Sequence, residues 1–490
     1  MGQKSLLNYG GVIFAAMMGS GKTGASLMLM MHMRTGLPNL FVGTVSIIGG
    51  VVKEAAAFFG DSINVHVIEP GSSDKSFPPD TDVVVTNRES LADPQLANIQ
   101  WGHVTLDEAH DMRNEDTNRY SIMKAINAKY RILLTGTPIN NRPEEVVSLV
   151  EQAGLIEVPP NTGHRRYLNE NWLKVLLALQ RSSIRIDYDP GCKIERHVVA
   201  VEFTPEEAED HQKAIADAMA KITTHSYFHV FTCDLNLCAS SQAKLRAIQH
   251  IVETEFDPER GMLIFATICS MQRAVLAMCQ EMGIPCDLID GSMSMHERTQ
   301  VVDKLNNGEL RLVVCSSKAC RVGLNMQGAG DVINVDIQSC NPFDYMQLEC
   351  RVKRKGQKCA VVRLWQLVIV RTVESYIPRI LKWKTDMANQ MLKCFPTSRD
   401  FNANGKLTDN FQRVSRAYMK KIIKKGKRKK GVGVETAEGT EVENLIMKTY
   451  ANDGSFIGLL DEESDDSESD ESPQSAPITP KTPRGRGLWS

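Results

Sequence analysis

Short apolar segments alternate with segments of helical periodicity over the first part of the chain. The apolar segments are four to six residues long and cover residues 11–14, 39–44, 64–68, 82–86, 103–106 and 130–134. Helical patterns lie between them, for example at 25–31 and in an alanine-rich stretch that ends near Gly60. Buried strands that alternate with helices are typical of a parallel sheet with helices on both faces. The pattern therefore predicts a doubly wound α/β domain over residues 1–145.

The alternation is interrupted and then starts again. Residues 146–245 have a mostly helical pattern and are predicted to form a linker or insertion. New strand patterns follow at residues 262–265, 286–291, 312–315 and 331–336, and residues 377–400 have helical periodicity. These patterns predict a second α/β domain over residues 246–400. Two such domains are a reasonable content for a chain of 490 residues.

The end of the chain is strongly charged, although the formal net charge is only −2. Residues 401–430 are predicted to be a basic extension, and the lysines and arginines between 420 and 430 have three interpretations: a nuclear localisation signal, a DNA-binding arm, or a solvated helix face. Residues 431–490 are polar, acidic and proline-containing, which predicts a disordered tail. Ser464, Ser467 and Ser469 lie among acidic residues, and are interpreted either as kinase sites or as part of a solubilising tail.

Membrane and secreted proteins are disfavoured by the sequence. The chain has no apolar run of about 18 residues and no apolar stretch suited to a signal peptide, so we expect an intracellular protein. The cysteines lack regular spacing, which is typical of reduced thiols. Cys233 and Cys238 are close in sequence, but a metal site there is the weaker of two hypotheses beside buried thiols.

The first predicted strand leads into a glycine-rich loop. Gly19, Ser20, Gly21, Lys22 and Thr23 stand between this strand and the helical pattern at 25–31. Backbone N–H groups of such a loop bind phosphate oxygens, the lysine reaches the β- and γ-phosphates, and the threonine hydroxyl binds Mg²⁺. The alternative is a chance Gly-Lys-Thr before a core helix. Ala16 stands where the usual pattern has a further glycine.

A pair of carboxylates follows the strand predicted at 103–106. Asp107 is expected to hold Mg²⁺, and Glu108 to orient the attacking water. The alternative is a solvated helix start. In parallel sheets, ligands bind beyond the carboxyl ends of the strands, so both clusters are expected at one edge.

In order and spacing, these motifs resemble those of superfamily-two helicases, and within them the Swi/Snf-like ATPases. The resemblance extends over residues 11–378 and includes the segments 18–23, 107–114, 134–141, 316–325, 347–357 and 372–374. The chain departs from the family pattern at Ala16 and Met17, at Cys320 and Arg321, and at Lys353. An upstream helix with an adenine-reading glutamine is not recognised.

The resemblance implies two RecA-like P-loop domains with ATP and Mg²⁺ in the cleft between them. Arg351 and Arg354 would reach the nucleotide from the second domain as arginine fingers. The implied catalytic residues are Lys22, Asp107, Glu108, Arg351 and Arg354. The implied ATP-binding residues are Met18, Gly19, Ser20, Gly21, Lys22, Thr23 and Gly323, with Thr23 and Asp107 as Mg²⁺ ligands. The implied coupling or nucleic-acid-facing residues are Thr135, Thr137, Asn140, Ser317, Lys318 and Gln347.

The implied function is that of a DNA-stimulated motor. It would move along double-stranded DNA and remodel protein–DNA complexes, with chromatin or transcription proteins as partners and the nucleus as the favoured location. Compact members of this kind occur in large DNA viruses, in which case the nucleus would be the host's, and in bacteria. Two alternatives remain open. One is a strand-separating helicase or transcription NTPase, and the other is a catalytically degenerate scaffold that binds DNA or a partner.

Overall fold

Two parallel sheets form the framework of the protein. The computed structural model describes residues 2–17, 19–114, 117–139, 142–186, 190–220, 227–320, 324–336, 341–402 and 406–427. Within these ranges, neighbouring strands of both sheets pair in parallel. The predicted α/β fold with two parallel sheets is therefore confirmed. None of the helices in the described ranges combines the length and the apolar character needed to cross a membrane.

The first sheet contains the strands that the apolar segments predicted. Its strand order is β3-β4-β2-β5-β6-β1-β7. The strands are β1 (Gly11–Ala16), β2 (Asn39–Gly43), β3 (Val65–Val67), β4 (Val83–Asn87), β5 (Trp101–Leu106), β6 (Ala128–Thr135) and β7 (Ser183–Ile186). The helices before and between them are α1 (Gly2–Tyr9), α2 (Lys22–His32), α3 (Ile48–Phe59), α4 (Pro94–Ala97), α5 (Asn118–Ala125), α6 (Glu145–Gln152) and α7 (His164–Ser182).

Both faces of the first sheet are covered, which is why its strands are apolar throughout. Along β1, Val12 and Phe14 belong to the cluster packed against α1, α2 and α3. Ile13 and Ala15 belong to the opposite cluster, which includes residues of α6 and α7. Neighbouring residues of a strand point to opposite faces, so one apolar strand supplies two separate cores.

The second sheet has the order β10-β11-β9-β12-β13-β8. Its strands are β8 (Lys193–Val201), β9 (Met262–Ala266), β10 (Cys286–Ile289), β11 (Leu312–Ser316), β12 (Asp331–Asn334) and β13 (Val361–Ile369). The helices of this half are α8 (Pro205–Ala220), α9 (Tyr227–Ala239), α10 (Gln242–Glu255), α11 (Cys269–Glu281), α12 (Met295–Asn307), α13 (Pro342–Val352), α14 (Ile377–Leu392) and α15 (Asp409–Lys427). Separate apolar clusters lie on its two faces.

The segment 146–245 contains more strand than the sequence predicted. Its residues form β7 at the edge of the first sheet and β8 at the edge of the second, in addition to helices. β8 has mostly polar residues at 193–197 and apolar residues at 198–201, and all of its side chains except that of Val201 are exposed or half-buried. An edge strand of this kind lacks the full-length apolar run that identifies a central strand buried on both faces. The division of the chain into domains stays a prediction.

The C-terminal helices return from the second sheet to the first. α14 follows a short turn, Val373–Ser375, which packs beside β13 and α9. Further along, Met387, Met391 and Phe395 lie in the same buried cluster as Val147 and Leu176 of the first half. The predicted basic extension, residues 401–430, contains a helix, α15, that packs on α7 and α14. The predicted disordered tail 431–490, its serines and residues 428–430 lie outside the described residues.

Candidate nucleotide site between the two sheets

The glycine-rich loop has the backbone that its sequence predicts. β1 ends at Ala16 and α2 begins at Lys22. Gly19 and Gly21 have φ angles of 79° and 80°, in the left-handed region that glycine adopts without strain. The Lys22 Nζ atom donates a hydrogen bond of 3.0 Å to the Ala16 carbonyl, which holds the ammonium over the loop. The loop thus combines a helix N-terminus with a lysine, the arrangement that favours phosphate.

Two observations indicate that the loop is suited to bind a nucleotide and its cation. The Ser20 hydroxyl oxygen is buried and has no hydrogen-bond partner among the described residues. Thr23 is the second residue of α2 and is half-buried, so its hydroxyl lies at the N-terminus of the helix. Thr23 and Asp107 are the residues that would hold Mg²⁺. Met18, which was predicted to bind ATP, lies outside the described residues.

Asp107 and Glu108 lie at the end of β5, on the same edge of the sheet as the loop. The Asp107 N–H donates to the Val42 carbonyl at 2.8 Å, and the Glu108 N–H donates to Asp107 Oδ1 at 2.9 Å. Glu108 has a φ of 48°, an uncommon conformation for a residue with a side chain, and such strain is frequent at functional sites.

The environment of Asp107 is suited to a bound cation. Burial, followed by the negative charge of Glu108, raises the pKa of Asp107 to about 7, whereas the Lys22 ammonium opposes the rise. This effect of Lys22 indicates that the loop lysine and the carboxylate lie in one site. A divalent cation beside Asp107 would favour its charged form.

Arg88 holds the carboxylate segment in place, and sequence reasoning missed it. Its guanidinium donates to the Asp107 carbonyl at 2.8 Å, to the Glu108 carbonyl at 3.3 Å and to Asp111 Oδ2 at 2.6 Å. The side chain is only 7% exposed. The available signal is an arginine two residues after the apolar segment 82–86, at the end of a buried strand, where a charged residue needs a buried partner.

A chain of close polar contacts connects Glu108 to the predicted coupling segment. His110 Nδ1 lies 3.3 Å from Glu108 Oε2 and 3.2 Å from the Thr135 hydroxyl. The Thr135 hydroxyl also accepts the Thr137 N–H at 3.2 Å. Burial lowers the pKa of His110 in spite of the opposing charges of Glu108 and Asp111. Thr135 is fully buried, so its hydroxyl serves this internal chain.

Helix α13 of the second half brings Arg351 to this site, and Arg354 follows two residues after the helix ends. Arg351 is 1% exposed, and its Nη1 donates to the Leu324 carbonyl at 3.3 Å. Burial, followed by the charge of Arg354, lowers the pKa of Arg351 to about 10, and the charge of Glu108 opposes this. Burial raises the pKa of the Cys350 thiol, and Lys22 is among the groups that lower it. Charges of the first half therefore act on α13.

A cavity of about 190 Å³ separates the two halves beside this site. Thr137, Pro138 and Arg185 line it from the first half, and Pro342 and Met346 of α13 line it from the second. Thr137, one of the predicted coupling residues, therefore lies where the two halves meet.

The remaining predicted residues lie in the second half. Ser317 is half-buried after β11, and its N–H donates to the Ala266 carbonyl at 3.2 Å. Lys318 is exposed, and Gln347 is half-buried on α13. Their predicted roles stay predictions, and Asn140 and Gly323 lie outside the described residues.

Comparisons with known proteins agree with the resemblance of the motifs. The chain matches the SNF2-related domain over residues 5–277 and the helicase conserved C-terminal domain over residues 243–356. It is 24% identical over 431 residues to a putative ATP-dependent helicase/translocase, YwqA, of Bacillus subtilis, covering 78% of this chain and 46% of that protein. It is also 24% identical to a probable global transactivator of Orgyia pseudotsugata multicapsid polyhedrosis virus, covering 58% of this chain and 65% of that protein.

The chain spans less than half of the length of the first of these relatives. Among solved structures, the Sulfolobus solfataricus SWI2/SNF2 ATPase core in complex with dsDNA matches with 21% identity, covers 79% of this chain and 89% of that chain, and has a TM-score of 0.36. Because the SNF2-related domain matches more than half of its residues, the chain belongs to the SNF2-related family of helicase-like ATPases.

Proposed function

We propose that this protein is a DNA-stimulated ATPase that moves along duplex DNA and remodels protein–DNA complexes. The observation that carries the proposal is the meeting of two sets of groups: Lys22, Asp107 and Glu108 from the first half, and Arg351 from α13 of the second. Family membership supports ATP as the nucleotide. A relative described as a helicase/translocase supports motion on nucleic acid.

The residues of the first half divide the work at the phosphates. The loop N–H groups and Lys22 would bind the β- and γ-phosphates, and Thr23 and Asp107 would hold Mg²⁺. The cation would supply positive charge that offsets the charge on the phosphate oxygens while the γ-phosphoryl group is transferred. Glu108 orients the attacking water, and Arg88 keeps Glu108 at the end of β5 through the backbone carbonyl. Each of these groups comes from the carboxyl edge of one sheet.

Arg351 on α13 and Arg354 just after it have different surroundings, which supports different tasks for the two arginines. Arg351 donates to the Leu324 carbonyl, and its own carbonyl accepts the Met326 N–H at 3.0 Å. These contacts join Arg351 to residues 324–326, which lie between β11 and β12 of the second sheet. Arg354 is half-buried, two residues after the end of α13, and is the arginine better suited to reach the transferred phosphate. Arginine fingers of this kind contribute about 10³–10⁵ in rate.

Hydrolysis would be coupled to motion because the site is divided between the halves. Closure brings α13 onto the nucleotide, and the chain from Glu108 through His110 and Thr135 to Thr137 transmits the state of the carboxylates to the cavity between the halves. Ser317, Lys318 and Gln347 would contact DNA or couple it to this closure. Phosphate contacts of this kind make DNA binding weaker as salt rises.

A triplex-displacement assay tests translocation on duplex DNA. The wild-type chain should release a third strand from a duplex in an ATP-dependent manner, whereas Lys22→Ala should not. Lys53→Ala, at an exposed lysine of α3, is the matched control and should behave as wild type. If the wild-type chain separates the strands of a naked forked duplex, a strand-separating helicase is favoured. If it neither releases the third strand nor separates the fork, the catalytically degenerate scaffold is favoured.

The proposal extends to where in the cell the protein acts, namely the nucleus, and to chromatin or transcription proteins as its partners. The basic residues between 420 and 430 suit a nuclear protein, and relatives include a chromatin remodelling protein of Arabidopsis thaliana. Fluorescence microscopy of the tagged chain in a nucleated cell would test the location, and a cytoplasmic signal that is unaffected by changing these residues would contradict it.

A further inference from the structure

Three side chains that commonly bind metals converge in the helical part before the second sheet. Asp234 and Cys238 are four residues apart on α9 and therefore lie on one face of this helix. His211 comes from α8, which packs against α9. The His211 Nε2 atom lies 2.9 Å from Asp234 Oδ1, and Cys238 Sγ lies 3.3 Å from the same oxygen. All three candidate ligand atoms lie within 4.8 Å of one another.

The surroundings of this cluster carry an excess of buried negative charge. Asp234 is 3% exposed, Glu374 is fully buried and Asp336 is 7% exposed. Lys244 is a fully buried cation among them and forms an ion pair of 2.5 Å with Glu374. The exposed Lys318 acts on Asp336 from the outside.

Two of these carboxylates are held by the turn that follows β13. Glu374 accepts the Ile369 N–H at 3.0 Å, and Asp234 accepts the Val373 N–H at 3.2 Å. Three buried carboxylates therefore lie around one buried ammonium, and the His211 imidazole beside Asp234 carries a positive charge only when it is protonated. Buried charge of one sign is costly unless it is paired or bound to a metal, so a divalent cation would offset the excess.

The donor set determines which cation fits. A neutral imidazole, a thiolate and a carboxylate together are typical of zinc sites, whereas Mg²⁺ and Ca²⁺ prefer oxygen alone. We propose that His211, Asp234 and Cys238 bind one zinc ion, with a water molecule as the fourth ligand. The His211 side chain is 13% exposed, so the fourth position has access to solvent.

Zinc would replace hydrogen bonds that the cluster makes without it. In the metal-free protein the Cys238 S–H donates to Asp234 Oδ1. On binding, the thiol loses its proton to the solvent, the Zn–S bond forms, and one proton is released for each zinc ion bound. The second oxygen of Asp234 accepts the Val373 N–H at 3.2 Å, which orients the carboxylate as outer-shell contacts of metal sites do.

The site would connect the helical part to the end of the second sheet. Val373 begins the turn that leads into α14, and α14 reaches the core of the first half. A zinc ion held through Asp234 would therefore stabilise α8, α9 and this turn together. The proposal concerns a region separate from the nucleotide site and does not depend on ATP hydrolysis.

Metal content of the full chain tests the proposal, with a neighbouring pair on α9 as the control. His229 and Cys233 lie 3.6 Å apart on a more exposed part of the same helix. The wild-type chain, stripped with a chelator and titrated with Zn²⁺, should bind one equivalent. Cys238→Ser, which retains a hydroxyl able to donate to Asp234, removes a ligand atom and should lower the zinc affinity by more than the roughly 10–100-fold that loss of an outer-shell contact costs. Cys233→Ser and His229→Ala should leave the affinity unchanged.

Cobalt substitution and thermal unfolding complete the test. Co²⁺ should give a thiolate-to-metal absorption band in the wild-type chain that is lost in Cys238→Ser, and Zn²⁺ should raise the melting temperature of the wild type only. The metal-free melting temperatures of both chains should agree, since the serine keeps the hydrogen bond. Zinc binding that persists in Cys238→Ser, or wild-type binding well below one equivalent, would overturn the proposal.

Discussion

Arg88→Met should slow ATP hydrolysis much more than it weakens ATP binding. The substitution keeps an apolar side chain in the buried position but removes the hydrogen bonds to the Asp107 carbonyl at 2.8 Å and to Asp111 at 2.6 Å. Hydrogen bonds that involve a charged group contribute about 1.5–3 kcal/mol each to stability. Part of this is offset because the guanidinium no longer has to be desolvated.

The expected effect on catalysis follows from the position of Glu108. Without Arg88, the segment 107–111 loses the group that fixes its carbonyls, and the water-orienting carboxylate can move. A displacement of about 1 Å costs roughly 100-fold in rate, which corresponds to about 2.7 kcal/mol in the activation free energy. Among the described residues, the hydrogen bonds of Arg88 go to the segment 107–111 and not to Lys22 or the loop. The KM for ATP should therefore change by less than about threefold, or roughly 0.7 kcal/mol.

Steady-state kinetics with saturating duplex DNA would measure kcat and KM separately. Arg119→Met is the matched control, since Arg119 pairs with Glu89 at 3.0 Å but is 55% exposed. Such surface ion pairs contribute about 0–1 kcal/mol, so the control should retain the wild-type kcat. If Arg88→Met lowers the melting temperature but keeps the wild-type kcat, Arg88 has a structural role only and our reasoning is wrong.

Three further predictions concern stability. Lys244→Met leaves Glu374 buried without its cation and should lower the free energy of unfolding by about 3–5 kcal/mol in urea titrations, and the double variant Lys244→Met/Glu374→Leu should recover most of it. Burial raises the pKa of Glu151, but hydrogen bonds from a histidine, a lysine and a tyrosine outweigh it and bring the pKa from its usual 4.5 to about 2. The resulting contribution to the free energy of unfolding, about 3 kcal/mol, is present above pH 4.5 and is lost as the pH falls towards 2. Glu151→Gln should therefore make the free energy of unfolding depend less on pH over this window. An unchanged pH dependence would contradict the assignment. A Cβ atom on Gly11 would lie 1.9 Å from a backbone carbonyl oxygen, so Gly11→Ala should lower the free energy of unfolding by about 1–3 kcal/mol. Gly49 has open space around it, so Gly49→Ala should not lower it. Equal melting temperatures for the two variants would refute the packing argument.

The central strands could be predicted because burial on both faces leaves a continuous apolar run. β1, β2, β4 and β5 have this character, and each lies within or beside a predicted segment. β8 could not be identified in this way, since its first five residues include a lysine, a glutamate, an arginine and a histidine that are exposed or half-buried at the edge of the sheet. Local pattern thus identifies strands in the middle of a sheet better than strands at its edge.

The motif residues were predictable, but their buried supports were not. The spacing of Gly21 and Lys22 along the chain is enough to predict a phosphate-binding loop. Arg88 and Asp111 are brought together only by the fold, from positions 23 residues apart. The same holds for Thr135: its motif predicts a coupling or nucleic-acid-facing role, and only the fold brings its hydroxyl to His110. Tertiary partners of this kind leave little trace in a single sequence.

The packing of the C-terminal helices against the first half could not be predicted from the sequence either. The basic residues of α15 suggested an extension, whereas Met419 and Ser415 are fully buried and Ser415 accepts a hydrogen bond of 2.7 Å from Gln180 of α7. The apolar face of α15 is interspersed among lysines and arginines, so charge dominated the interpretation.

ATP hydrolysis by the full chain, measured with and without duplex DNA, is the most direct test of the central claim. Our account predicts that duplex DNA raises the turnover of the wild type, and that Glu108→Gln abolishes turnover while ATP still binds, because Lys22 and the loop are intact. Turnover that is unchanged in Glu108→Gln, or a wild-type chain that hydrolyses no ATP with or without duplex DNA, would contradict the account.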